Sequence, residues 1–270
     1  MTMLDVGKRN LLGVLIDVVD YEAVLERIIA AANSGTPLGV SAVAVHGVMT
    51  GVLDRTQRCR LNRLELVVPD GQPVRWALNL LHRAQLRDRV YGPELTLRVC
   101  WRAAQERLPI YLYGSTADVL DSLAANLVRR FPGLKIAGYQ PSKFRQVSAL
   151  EKRQVVEQIR ASGAKLVLLG LGCPRQEVWA YEYREALSMP VLAVGAAFDY
   201  HSGRLRRPPA ALQRLGLEWA FRLGLEPRRL WRRYLLLNPY FVLMVLCQLT
   251  RPPFFSVSQE QVSYDQLNYG

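Results

Sequence analysis

The chain has 270 residues, half of them hydrophobic and 21% charged, which excludes wholesale disorder and gives enough apolar material for one large α/β domain with or without an appendage. Lys and Arg number 35 against 23 Asp and Glu, a net charge of +12 that favours an anionic partner: nucleic acid, anionic lipid or a phosphorylated substrate. The four cysteines are scattered without a CxxC pair, which argues against a zinc site or a disulfide framework and for reduced thiols.

No basic patch followed by a long apolar core opens the chain, so no signal peptide is expected. Residues 1–10 read as a loose start, Leu11–Val19 as a short strand, and Tyr21–Ala32 as a helix ending at the turn cluster Asn33-Ser34-Gly35. Gly39–Val45 is a buried strand, Val48–Asn62 a single helix, and Leu64–Val68 a second buried strand ending in Pro69-Asp70-Gly71. Gln72–Leu81 is helical, Arg83–Val90 carries a basic cluster, and Glu94–Gln105 is another helix. Ile110–Tyr113 is a strand, with Ser115 or Thr116 expected to cap the helix Ala117–Arg130. Leu134–Gly138, Lys165–Leu169 and Val191–Val194 complete the strands, separated by the helices Ser148–Ser162 and Val178–Leu187.

This alternation predicts a Rossmann-like, mostly parallel sheet with helices on both faces over residues 1–203. Ligands bind such sheets beyond the carboxyl ends of the strands. Those ends carry Val45-His46-Gly47, Asp70-Gly71, Gly114-Ser115, Gly172-Cys173 and Gly195-Ala196. No GxGxxG or Walker motif is present, so neither a dinucleotide dehydrogenase nor a P-loop NTPase is indicated. Leu166–Glu177, LVLLGLGCPRQE, is the most informative stretch: an apolar strand, two glycines, and Pro174 opening a helix whose free N–H groups favour an anion.

Residues 204–250 change character. Nine arginines from Arg204 to Arg233 face only Glu218 and Glu226, with aromatics interleaved, and Leu235–Leu249 is strongly apolar but broken by Asn238-Pro239. No run of about 20 uninterrupted apolar residues predicts a spanning helix. The basic stretch reads as a nucleic-acid surface, a membrane-surface helix, a diphosphate clamp, or a core helix pair with a solvated basic face; the apolar neighbour favours the membrane. Residues 251–270 read as a flexible tail.

Asp70 is the leading acid–base candidate, although Pro-Asp-Gly is also a common turn in which Asp bonds its own backbone. His46 at a strand end is a candidate ligand contact or a satisfied polar residue. Gln176 suits a base or sugar edge, and Glu177 a hydroxyl, a neighbouring arginine or the helix dipole. Arg89 and Glu94 flank the turn Tyr91-Gly92-Pro93, and Asp199 lies between aromatics where it orders arginines or caps a turn. No metal-ligand spacing is evident.

Taken in order, these stretches resemble the WecG/TagA/CpsF family of bacterial glycosyltransferases. The residues carrying the resemblance are Val67–Gly71, Arg89–Leu95, Tyr113-Gly114, Gly170–Glu177, Val194–Asp199, Arg207-Pro208-Pro209, Gly216–Trp219, Arg222-Leu223 and Glu226–Arg229. GLGxPxQE, GxAFD and GLEW–RL–EPxR are its specific parts, and the series spans about Leu11 to Tyr234. The resemblance implies a GT-E-like α/β fold with a C-terminal helical, membrane-associating appendage. It implies inverting transfer from a UDP-sugar to a polyprenyl-diphosphate-linked sugar, with no essential metal and no cofactor, in bacterial surface polysaccharide biosynthesis. The expected location is peripheral, on an anionic membrane surface at the cytoplasmic face of the inner membrane.

By the same resemblance Asp70 is the base and Gln176 lies by the nucleotide. His46, Gly71, Arg89, Gly92, Glu94, Gly114, Gly172, Glu177 and Gly195 are the other expected nucleotide-sugar contacts, and Arg207, Arg214, Arg222, Arg228 and Arg232 are the diphosphate candidates. Three departures stand out: Ala44 and His46 replace the family's usual Thr-x-Asn, Glu94 replaces an aspartate, and Arg207-Pro208-Pro209 replaces RAP. The rival expectations are a basic nucleic-acid-binding protein and a non-catalytic nucleotide-binding scaffold. No nucleic acid is expected as partner on the main reading, and homo-oligomerisation is left open.

Overall fold

Apolar runs bounded by turn residues make the sheet, and amphipathic segments cover it. The computed structural model describes residues 3–251, 255 and 266–270. The chain opens with the hairpin β1 (Asp5–Leu11) and β2 (Val14–Val19), then α1 (Tyr21–Ser34), β3 (Leu38–Val43), α2 (Val45–Leu53), α3 (Arg55–Arg63) and β4 (Leu66–Pro69). Next come α4 (Gln72–His82), α5 (Gly92–Gln105), β5 (Ile110–Gly114), α6 (Ala117–Arg130), β6 (Ile136–Gln140) and α7 (Ala149–Ala161). β7 (Leu166–Gly170), α8 (Arg175–Leu187), β8 (Pro190–Ala193) and the short α9 (Ala197–His201) close the core. The basic, apolar region forms α10 (Ala210–Arg214), α11 (Glu218–Leu225), α12 (Pro227–Leu235) and α13 (Leu237–Thr250).

The central sheet is parallel, in the order β4-β3-β8-β7-β5-β6. Its strands are apolar on both sides because helices cover both faces. One face packs Val67, Val167, Leu169 and Val191 against α2, α4, α8 and α13; the other packs Val40, Val68, Leu112 and Leu168 against α1, α5 and α6. The order places β3, β8 and β7 in the middle, so the loops after β4, β3, β8, β7 and β5 all converge at one edge.

Four expectations are corrected. Residues 5–10 are not a loose start but belong to β1, which pairs antiparallel with β2 and supplies backbone partners for the buried side of the hairpin. The helix expected over Val48–Asn62 is two helices. Asp54 breaks it, taking an extended backbone (φ −124°) and accepting from the N–H groups of Thr56 and Gln57 as the α3 N-cap. Thr116 occupies the N-cap of α6 but makes no side-chain cap bond.

The tail is the fourth correction. Most of 251–270 lies outside the described residues, but 266–270 is docked. Val147 N–H donates to Asn268 O at 2.8 Å, Gly270 N–H donates to Arg145 O at 3.0 Å, and Leu267 and Asn268 N–H donate to the Glu182 carboxylate at 2.8 and 2.9 Å.

The expectation of no spanning helix also needs refinement. Pro227–Thr250 is a 24-residue helical stretch containing an 18-residue window of mean hydropathy 1.2, sufficient by length and composition to cross a membrane. Its packing says more than its length. Phe241, Val245 and Gln248 are buried against the core, and Gln248 accepts from Leu12 N–H and donates to Asn10 O. Val242, Leu243, Leu246 and Leu249 face outward and are about half exposed. One side of α13 is thus a core helix and the other an uncovered apolar stripe.

Replacing the Asp54 cap tests the helix break. Asp54→Ala is expected to lower unfolding free energy by about 1 kcal/mol in urea, with turnover unchanged.

Candidate active site

A cavity of about 850 Å³ opens at the convergent strand ends. It is lined by Ala44 and His46 after β3, Asp70 and Gly71 after β4, Gly195 and Ala196 after β8, Gly172 and Cys173 after β7, and Ser115 and Thr116 after β5. The appendage closes its open side with Glu218, Trp219, Arg222, Glu226, Arg229, Arg233 and Tyr234.

Helix capping follows a pattern around this cavity. α1, α3 and α7 start elsewhere and are capped by Asp20, Asp54 and Ser148. α2, α4, α6 and α8 start at the cavity, behind Ala44, Gly71, Thr116 and Pro174, and none has a side-chain cap. In α2 and α6 the leading N–H groups are left for a ligand and carry the positive end of the helix dipole, whereas in α8 Gln176 N–H donates to Gly172 O at 3.0 Å and in α4 Pro73 has no N–H to offer. Ala at the N-cap of α2 forgoes about 1 kcal/mol that Ser or Thr gives there. The Cys173–Pro174 peptide leading into α8 is cis.

Asp70 sits where β4 ends. Its N–H donates to Val43 O at 2.9 Å, and its Oδ1 accepts from Gly92 N–H at 2.5 Å. Burial pushes its carboxyl up to about 6; Glu218 adds to the rise, while Arg89, the Gly92 N–H and Arg222 oppose it. A Cβ on Gly92 would stand 3.3 Å from Val194 O and 3.4 Å from Asp70 Oδ1, so a bare backbone is what lets this N–H reach the carboxylate.

Glu218 of α11 is the hinge between appendage and core. It accepts from Arg89 Nη2 at 2.7 Å and from Tyr91 Oη at 2.7 Å. Arg89 and Glu218 are both largely buried, and Arg89 stacks over the Tyr91 ring at 4.1 Å. Breaking one side of such a pair leaves a buried charge alone, which typically costs 3–5 kcal/mol.

On the β7 side, Gln176 Nε2 donates to Glu177 Oε1 at 2.9 Å, and Ser41 Oγ donates to the same oxygen at 3.2 Å. Burial raises the Glu177 carboxyl above its usual range. Gln176 Oε1 and Glu177 Oε2 are buried without a hydrogen-bond partner among the described residues. Gly195, at φ 56°, approaches Gln176 so closely that a Cβ would lie 3.1 Å from Oε1. His46 is pushed down to about 4, first by burial and then by Arg233, against the Cys173 backbone, so its ring is neutral near pH 7; its Nδ1 is buried without a hydrogen-bond partner among the described residues.

Of the expected contacts, His46, Asp70, Gly71, Arg89, Gly172, Gln176, Glu177, Gly195 and Arg222 line the cavity. Gly92 stands behind Asp70, and Gly114 lies one layer back, where its Cβ would strike the Gly170 backbone at 2.7 Å. Glu94 is on the rim, near Arg98 at 3.4 Å and Arg207 at 3.9 Å. Arg207 lies beside Tyr91, at 5.9 Å from the ring centroid, rather than in the cavity.

Arg214, Arg228 and Arg232 are exposed and do not line the cavity. The error at Arg228 and Arg232 is one of helical phase. On α12 the buried residues are Leu230 and Tyr234, so Arg233 beside Tyr234 turns inward, Arg229 stays exposed at the cavity edge where it pairs with Glu226 at 2.7 Å, and Arg228 and Arg232 point out. The i, i+4 pair Leu230/Tyr234 was the available signal. Asp199 also lines the cavity; burial raises its carboxyl, against the pull of Arg204, Arg229 and Arg222. Among the described residues no group of three or more His, Cys, Asp or Glu is placed to hold a metal ion.

Residues 9–253 match the model of the glycosyl transferase WecG/TagA/CpsF family. The chain belongs to that family. Among its relatives, an N-acetylglucosaminyldiphosphoundecaprenol N-acetyl-beta-D-mannosaminyltransferase of Bacillus spizizenii is 32% identical over 181 residues, 67% of this chain and 68% of the relative. A protein of the same name from Bacillus subtilis (strain 168) is 30% identical over 208 residues, 77% and 78% of the two chains. The chain is therefore a glycosyltransferase, and this replaces both non-enzyme alternatives.

Asp70 also makes a stability prediction. Its pKa is raised from 3.8 to about 6 in the fold, so the native state loses stability as pH rises through that window. Asp70→Asn is expected to raise the melting temperature at pH 7.5 and to give no gain below pH 4, by differential scanning calorimetry.

Proposed function

We propose that the enzyme transfers a sugar from a UDP-sugar to a polyprenyl-diphosphate-linked sugar, by one inverting displacement and with no essential metal. The names of the Bacillus relatives motivate N-acetylmannosamine as the first donor sugar to test and a diphosphoundecaprenol-linked N-acetylglucosamine as the acceptor. The observation that carries the proposal is Asp70: a carboxylate raised to about 6, anchored by Gly92, in a cavity large enough for a nucleotide sugar.

In this reading an acceptor hydroxyl attacks the anomeric carbon of the donor. Its proton passes to Asp70 Oδ2 as the bond from the anomeric carbon to the β-phosphate oxygen breaks. The bonding pair leaves with UDP. The charge gathering on the diphosphate is met by the uncapped starts of α2 and α6 and by Arg222, Arg229 and Arg233. Gln176 and Glu177, with their unpartnered oxygens, are the donor-side contacts. The outward apolar stripe of α13 and the exposed Arg228 and Arg232 support a peripheral position on an anionic membrane, which we place at the cytoplasmic face.

Asp70→Asn should lower kcat by roughly a hundredfold to ten-thousandfold, with donor affinity retained by calorimetry; a variant with wild-type turnover would remove Asp70 from the base role. The pH profile gives a second check. Asp70 must be ionised to act, so kcat/KM should rise with pH through about 6. Glu218 opposes that ionisation, so Glu218→Gln should move the acid limb to lower pH.

A further inference from the structure

Two helices run side by side from the cavity to the same distant point. α4 begins with Gln72 and Pro73, and α13 with Asn238 near its start; all three line the cavity. At the other end, His82 Nε2 of α4 lies 2.7 Å from Asn10 O, and Gln248 Nε2 of α13 donates to that same oxygen at 3.1 Å. Both helices bury their inner sides in one core cluster, through Val74, Ala77 and Leu78 on α4 and Phe241 and Val245 on α13.

Their outer sides are both apolar. Trp76 and Leu80, at helical i, i+4 spacing, are 43% and 54% exposed, matching Leu243 at 56% on α13. The α10–α11 turn joins the surface at its cavity end. Gly216 rests against the Trp76 ring so closely that a Cβ would lie 2.6 Å from it, and the flanking Leu215 and Leu217 are exposed. Arg83 and Arg87, both exposed, follow α4; Asp88 is the acid beside them.

We propose that α4 of the α/β core and the α10–α11 turn form a membrane-contact surface continuous with α13, occupied by a bilayer carrying anionic headgroups. The proposal rests on the membrane reading given above and extends it from the appendage to the core. Trp76 is an amphipathic ring at the edge of the stripe, and Arg83 and Arg87 supply charge for lipid phosphates. With core and appendage both anchored, the cavity mouth between Gly71 and Glu218 opens at the bilayer surface, where a lipid-borne diphosphate sugar presents itself.

Sedimentation of the full chain with phosphatidylethanolamine–phosphatidylglycerol vesicles tests this. Leu80→Glu and, separately, Arg83→Glu are expected to weaken partitioning roughly tenfold and about fivefold, with the melting temperature retained. Trp101→Glu, an exposed tryptophan on α5 beyond the opposite face of the sheet, should partition like wild type. If Leu243→Glu abolishes partitioning while both α4 variants bind like wild type, the appendage alone meets the membrane and this proposal is overturned. A wild-type chain that stays in the supernatant overturns the membrane reading itself, and this surface with it. If Leu80→Glu instead converts a dimer to a monomer in lipid-free ultracentrifugation, the surface belongs to a second copy of the chain and the proposal is likewise overturned.

Discussion

The Glu218 carboxylate, held by Arg89 and Tyr91 at 2.7 Å each, is the contact on which the rest of the site depends. Without it α11 has no polar anchor on the core segment beside Asp70. With it, one acidic side chain does two things. It fixes the appendage over the strand ends, and it places negative charge near Asp70, which together with burial keeps that carboxyl at about 6 instead of 3.8. Arg89 keeps that effect within bounds by pulling the same carboxyl down. Appendage docking and the tuning of Asp70 are thus one piece of electrostatics.

The cavity also shows what the ligand must bring. In the core, α2, α4, α6 and α8 start at the cavity without side-chain caps, whereas α1, α3 and α7 start elsewhere and have them. Gln176 Oε1, Glu177 Oε2 and His46 Nδ1 are buried without hydrogen-bond partners among the described residues, and Arg233 is depressed by burial among other arginines. Each of these is unfavourable while it lacks a partner, and an anion or a hydroxyl-bearing group is what would supply one. Stability is given up where binding needs it.

Much of the fold was legible because the parallel strands are apolar on both faces and the turns carry their glycines and prolines openly. Asp70, Gln176 and the convergence of strand ends followed from that pattern and from the family resemblance. What failed did so for specific reasons. β1 carries Lys8, Arg9 and Asn10, whose polarity hid a strand that needs only its partner β2. Asp54 was read as a helical interior residue when it is a cap. Thr116 has the chemistry of a cap, but whether it bonds its helix or faces a cavity is decided by tertiary structure. On α12 the arginines were visible but their phase was not, since the buried pair Leu230 and Tyr234 had to be identified first. The docked residues 266–270 depend on Glu182 and Val147, contacts that no local pattern announces.

The central claim is that the fold makes Asp70 a base by burial beside Glu218. Carbon-13 NMR titration of the Asp70 carboxyl, with its resonance identified by comparison with Asp70→Asn, tests that claim directly. The account predicts a midpoint at about 6 in the full-length protein. A midpoint at the ordinary aspartate value of 3.8 would contradict it.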